Sequence, residues 1–307
     1  MILKISEIVF DYQGQVRAGW RILCYLLLTG AGSTAFIAAY KAAATSLFPA
    51  AAGSVRLGEI APYALIGAAA ILGAFIMLRF FDQRPLKTLG YSMHTRMGIE
   101  IAQGILLGFF MISILSGIEW AAGYASFSRA EGDFGQLPLT FVYYAAVFTA
   151  SAAMEESLTR GYAFQALVQG IGKAGAVCVS SIAFSLAHLF NPHVNGIALL
   201  NTILAGVWLS IAYLKTRSLW LPTSLHMTWN LSLGFIFGYP VSGAIMPDAM
   251  TRLSRRGPDW ITGGAYGPEG GVLCTGILLA AILFLSRSAR IKPAETACSL
   301  WHSPGQA

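Results

Sequence analysis

The sequence is short of charge. Asp, Glu, Lys and Arg make up 11% of its 307 residues, against 56% hydrophobic. Soluble domains carry about twice that charged share. So few charges cannot clothe a water-facing surface, which excludes an ordinary soluble domain and predicts a polytopic membrane protein. Cysteine is scarce as well. Cys24, Cys178, Cys274 and Cys298 stand apart, with no C-x-x-C pair, which argues against a zinc ribbon or a disulfide framework. Small buried thiols are expected for the three in apolar segments. The H-E-x-x-H signature of helix-borne zinc peptidases is missing. No internal repeat is visible. No cleavable leader is expected either, because the first apolar run begins only near Ile22 and is long enough to span. The formal charge of +6 lies between apolar runs rather than on one face, a pattern of membrane topology and not of nucleic-acid binding.

What the sequence has in quantity is apolar runs. Roughly 20 apolar residues cross the hydrocarbon core of a bilayer. Runs of that kind predict helices over Trp20–Ala44, Ile60–Phe80, Gly98–Tyr124, Pro138–Val168, Ala174–Phe190, Gly196–Leu214, Leu219–Phe237 and Val272–Leu285. The expected fold is therefore all-α, a polytopic membrane bundle of about eight transmembrane helices. Its parts are a lead with three spans (1–137), a central core (138–240), and a long loop, last span and polar tail (241–307). At about 30 residues the fourth run is too long for a straight crossing and is expected to tilt, bend or protrude. Pro138 suits its first turn, and Gly170, Gly172 and Gly175 mark the turn after it. Ala125–Leu137 and the Gly/Pro-rich Tyr239–Gly271 read as loops, and the tail after Lys292 as disordered. Glu119 is expected to reach the interface, where Trp120 and Trp220 serve as anchors.

The layout collects Arg79, Arg84, Lys87, Lys215, Arg287 and Arg290, among others, on the side of both termini. The opposite side holds Arg56, Arg129, Arg252, Arg255 and Arg256. The positive-inside rule then places both termini in the cytoplasm; the three arginines of the last loop run against it.

Three polar constellations interrupt the apolar runs. Glu155-Glu156-x-x-x-Arg160 keeps three charges inside a spanning run, where each costs roughly 3 kcal/mol or more unless it faces a protected cavity. Glu156 and Arg160 are four residues apart on one helical face, acid first, the better orientation for a pair. Glu155 points about 100° away, free for chemistry. Phe184-x-x-x-His188 lies in the fifth run and His226-x-x-x-Asn230 in the seventh. Helices can bring such groups together in a bundle core. Bland readings compete: an ion-pair cluster tying helices together, a core histidine at 188, and Asn230 as interhelical glue. Phe184 reads as packing beneath the site, and Asn191, His193 and Asn195 as a polar turn that is either a plain loop, the favoured reading, or a lining of the site's mouth.

The ordered set E-E-x-x-x-R, F-x-x-x-H and H-x-x-x-N resembles the CPBP intramembrane proteases, which include the CAAX prenyl endopeptidases and bacterial Abi-type proteins. The strings F-S-L-A-H-L-F-N-P and L-P-T-S-L-H-M-T-W-N are similar too, and the resemblance covers about residues 138–240. It implies that Glu155 is the general base activating water, that His188 holds or polarises that water, and that His226 and Asn230 stabilise the oxyanion. Glu156 and Arg160, with Phe184 below, would orient the site. No cofactor is assigned; the metal-free glutamate reading is favoured, with zinc held by Glu155, His188 and His226 as the alternative. The substrate expected is a peptide or membrane-protein segment, with the lipid bilayer as surroundings, no nucleic-acid partner, and the bacterial inner membrane as location. Two readings from other classes stay open: a transporter using the same Glu/His cluster as a proton or metal relay, and a non-catalytic membrane immunity or binding protein.

Overall fold

The computed structural model describes residues 9–10, 14–47, 55–130, 134–297 and 299–300. Helices dominate. They are α1 (Ala18–Leu47), α2 (Val55–Ile76), α3 (Met97–Ala121), α4 (Leu137–Glu156), α5 (Tyr162–Ala187), α6 (Gly196–Thr216), α7 (Trp220–Leu231), the short α8 (Asp259–Thr262) and α9 (Val272–Arg287). Among the described residues, five helical stretches are long and apolar enough to cross a membrane, one of them running from Leu137 to Ala187. That stretch is broken at Gly172, where φ 76° and ψ 170° leave helical space and reverse the chain; only glycine takes such a conformation without strain. Large apolar side chains such as Leu27, Phe110 and Ile114 stay exposed on the outer faces. Helices apolar all round are those of a membrane span, so the protein is an integral membrane bundle.

Three helices widen by one π-turn: α2 into Met77–Phe81, α4 into Ser157–Gly161 and α7 into Ser232–Ile236. Two apolar clusters fill the interior. One joins α3, α6, α7 and α9 around Leu115, Trp208 and Leu225. The other joins α1, α2 and α5 around Tyr25, Met77 and Phe164.

The closest helix approach is set by glycine. A Cβ on Gly104 of α3 would overlap Ser224 Oγ, and one on Gly108 would lie 2.9 Å from Leu225 O and 3.1 Å from Trp229 N. This G-x-x-x-G pair lets α7 lie directly on α3, as small residues do in membranes. It therefore fixes the depth and rotation of His226, one residue past Leu225. We expect Gly108→Val to lower stability by about 1–3 kcal/mol through overpacking, read as a fall in thermal midpoint in detergent. An unchanged midpoint would mean that α3 does not set the position of α7.

Several segments depart from expectation. The loop after α3 contains a strand, β1 (Ala125–Arg129), paired antiparallel with β2 (Thr251–Arg255) from the long loop, Ala125 opposite Arg255. Glu119 does not reach the interface. It is fully buried and accepts a hydrogen bond from Tyr239 Oη at 3.0 Å, because the long loop folds over the end of α3. Arg255 is turned inward too, donating to Gly264 O and Thr262 O and lying over the Tyr239 ring. Burial lowers the Arg255 guanidinium, with Glu119 opposing, and raises the Tyr239 phenol, with Glu119 adding to the effect. Of the thiols expected to be buried, Cys274 is; Cys24 is half-buried and Cys178 faces outward. Cys298 lies outside the described residues.

The described residues of the tail are not disordered, contrary to expectation. Ile291, Ala294, Ala297 and Leu300 are buried. Its anchors are Arg96 Nη2 donating to Arg290 O at 3.1 Å and Lys215 Nζ donating to Ser288 O at 2.7 Å. Further on, Leu300 N donates to Gln165 Oε1 at 2.8 Å and Gln169 Nε2 to Leu300 O at 2.9 Å. The buried apolar residues come every third position, and a turn closed by Ala297 N donating to Ala294 O keeps them against the bundle. The tail thus runs across the end of the bundle that carries the basic loops. The β1–β2 pair lies at the opposite end.

Candidate active site

Glu155 and Glu156 close α4 immediately before its π-turn. Such turns concentrate at functional sites because they re-aim the residues that follow. Adjacent helical positions diverge by about 100°, and the two carboxylates go to different surroundings. Glu156 is fully buried. Its Oε1 accepts from Arg160 Nη1 at 3.1 Å and lies 3.0 Å from His226 Nδ1. Arg160, also fully buried, donates to Thr159 Oγ1 at 2.8 Å and to Gly206 O at 3.1 Å, and its guanidinium sits 4.5 Å over the Phe184 ring. Gly206 can come this close because α6 touches α5 there; a Cβ would lie 2.7 Å from Ser181 Cα. A buried charge is tolerable only when paired and hydrogen-bonded in this manner.

Glu155 is only partly covered. Its Oε1 accepts from Ser151 Oγ at 3.2 Å, and Oε2 lies 3.9 Å from His226 Nε2 with no hydrogen-bond partner. The ring of His226 therefore stands between the two carboxylates, anchored by Nδ1 and presenting Nε2. His188 caps the C-terminal end of α5, with Nδ1 2.8 Å from Phe184 O. A carbonyl only accepts, so Nδ1 carries the proton and the neutral ring offers a lone pair at Nε2. Phe184 is a wedge: its ring centroid lies 4.8 Å from that of His188 and 6.1 Å from that of His226.

Glu155, His188, His226, Asn230 and Phe184 line one cavity of about 1090 Å³. Glu156 and Arg160 lie behind it. The helices reach this point at unequal depths. His188 is at the end of α5 whereas His226 is midway along α7, and the late start of α6 at Gly196 leaves the 188–195 turn over the cavity. Asn191 of that turn lines the cavity, contrary to the plain-loop reading, and Asn195 caps α6 by accepting from Ala198 N at 2.8 Å. Among the described residues, no three His, Cys, Asp or Glu side chains stand close enough together to hold a metal ion. The Glu155, His188 and His226 set does not fit zinc as arranged.

Several residues of the cavity have no counterpart in the sequence reading. Glu269, on a loop of three positive-φ glycines (Gly263, Gly264 and Gly267), also lines the cavity. It accepts from Trp229 Nε1 at 2.9 Å and from Ser242 N at 2.7 Å. A lone acid inside G-G-A-Y-G-P-E-G-G was the signal for it. Glu59 and Tyr63 enter from α2, well before the motif region. Nothing local marks them, since only the packing of α2 on α4 brings them in.

The family model described as type II CAAX prenyl endopeptidase Rce1-like matches residues 137–232, from the first residue of α4 to just past α7. Over that segment the chain is similar to the CPBP/CAAX intramembrane proteases. No curated protein and no solved structure matches it.

Proposed function

We propose that the cavity is the active site of an intramembrane endopeptidase in which Glu155 activates the attacking water. One observation carries this reading. Of two adjacent carboxylates, Glu156 is fully buried and paired with Arg160, while Glu155 is partly exposed and lines the cavity. Glu155 takes a proton from water as the water oxygen bonds to the scissile carbonyl carbon. His188 Nε2 accepts from the same water and holds it in line. The carbonyl oxygen becomes an oxyanion, received by the Asn230 amide and, when its ring carries both protons, by His226 Nε2. Breakage of the C–N bond then returns the proton from Glu155 to the leaving amine. Glu156 and Arg160 fix the orientation of His226.

The bias of Lys and Arg supports cytoplasmic termini, and the likeness to bacterial Abi-type proteins supports a bacterial plasma membrane. The purified chain in detergent, given a quenched peptide library, is expected to release fragments identified by mass spectrometry. Absence of cleavage together with proton-coupled flux in liposomes would replace this reading with a transporter.

A further inference from the structure

We propose that the cavity selects a peptide segment carrying a lysine or arginine side chain near the bond to be cut. This rests on the peptidase reading and names its substrate class. Four carboxylates line the cavity, Glu59, Glu155, Asp248 and Glu269, with no Lys or Arg among the described lining residues. Among the described residues, three of them hold only uncharged donors besides histidine. Glu59 accepts from Tyr143 Oη, Glu155 from Ser151, and Glu269 from Trp229, Ser242 N and Ser242 Oγ. They are hydrogen-bonded but not neutralised. The guanidinium of Arg160, which could have balanced them, is spent on Glu156 behind the wall. The arginines of the closing loop do not line the cavity, and Arg255 is turned toward Gly264 and Thr262.

The carboxylates form a path. Glu59 and Asp248 are exposed at the mouth, and Glu155 lies deeper. Tyr63, one helical turn from Glu59, is close enough to feel the charges of both Glu59 and Glu155. Aromatic rings of Tyr144, Trp208 and Trp229 share the walls, and such faces attract ammonium and guanidinium groups. A low-dielectric cleft lined by one sign of charge concentrates the field on whatever enters it. Two further groups await a ligand. Asn230, 8% exposed, has no hydrogen-bond partner among the described residues, and Glu155 Oε2 is buried without one. A cationic side chain satisfies the carboxylates of this lining.

The test uses fluorescein-labelled Ala/Leu peptides, in pairs that differ by lysine or norleucine at one position, and the full chain in nanodiscs. At the preferred position kcat/KM for the lysine peptide should exceed that of its partner by about tenfold, the worth of a modest charge and cation–π contact, and this advantage should shrink with added salt. In the E59Q/D248N variant the ratio should fall below about threefold, as mouth charges are removed. Equal rates for both peptides at every position would overturn the proposal while leaving the peptidase reading in place. Fluorescence anisotropy of the same peptides on the Glu155→Gln variant separates the two claims. Tighter binding of lysine peptides that the unaltered chain never cleaves would uphold the cation preference and sink the peptidase.

Discussion

Glu155→Gln should lower peptide hydrolysis by about 10²–10⁴-fold, the usual contribution of a general base, while the bundle stays folded. The expectation of an intact fold comes from the surroundings of the carboxylate. Its Oε1 takes one hydroxyl, from Ser151, and an amide oxygen can take the same bond; Oε2 has no partner to lose. No buried charge is stranded, because the guanidinium nearby belongs to Glu156. The loss should fall on kcat more than KM, since the base acts in the transition state. Thermal midpoint and size-exclusion profile check the fold, and cleavage of a peptide found to be a substrate checks the rate. A variant that keeps more than a tenth of the activity would remove Glu155 from the mechanism.

Glu156→Gln is expected to do the opposite damage. It leaves the Arg160 guanidinium in a site with no exposure, and breaking a buried pair from one side destabilises by about 3–5 kcal/mol. The thermal midpoint should drop by about 5–15 °C on the scaling for domains of this size. Arg160→Met should behave similarly, leaving the carboxylate with His226 alone. The double variant should regain most of the stability, because neither charge is left unpaired; a double-mutant cycle measures the coupling. Activity should not return with it, because His226 Nδ1 loses its carboxylate anchor. Additive losses in the cycle would mean that Glu156 and Arg160 act separately.

How much of this was legible in the sequence depended on range. The predicted runs fall in helices, but among the described residues only five helical stretches are long and apolar enough to cross; the fourth and fifth runs share one of them, and the seventh and eighth make the shorter α7 and α9. Glu156 and Arg160 could be placed on one face from their spacing alone. Glu155, His188, His226 and Asn230 were legible as types in order, but their meeting in one cavity was not. That meeting depends on Gly104 and Gly108, which admit α7, and on Gly206, which brings α5 and α6 together. The G-x-x-x-G spacing at 104–108 was in plain view and is a signal of helix contact, though not of which helix. Glu119, Arg255 and the tail were misplaced for one reason. Each is polar or lies in a polar segment, and such segments read as solvent-facing unless a distant partner is known. Tyr239 is that partner for Glu119, and Gln165 and Gln169 are the partners for the tail. All are tertiary neighbours.

The fold-back at the carboxyl end has a bearing on biosynthesis. Gln165 and Gln169 sit on the part of α5 that precedes the break at Gly172 and follows the π-turn after Glu155 and Glu156, and both are held by Leu300. During translation α5 must wait for more than a hundred further residues before its clamp is made. A nascent chain stalled after α7 already holds every motif yet lacks that fastening, so a truncated product ending before position 300 would carry the whole reactive set on an unsecured scaffold.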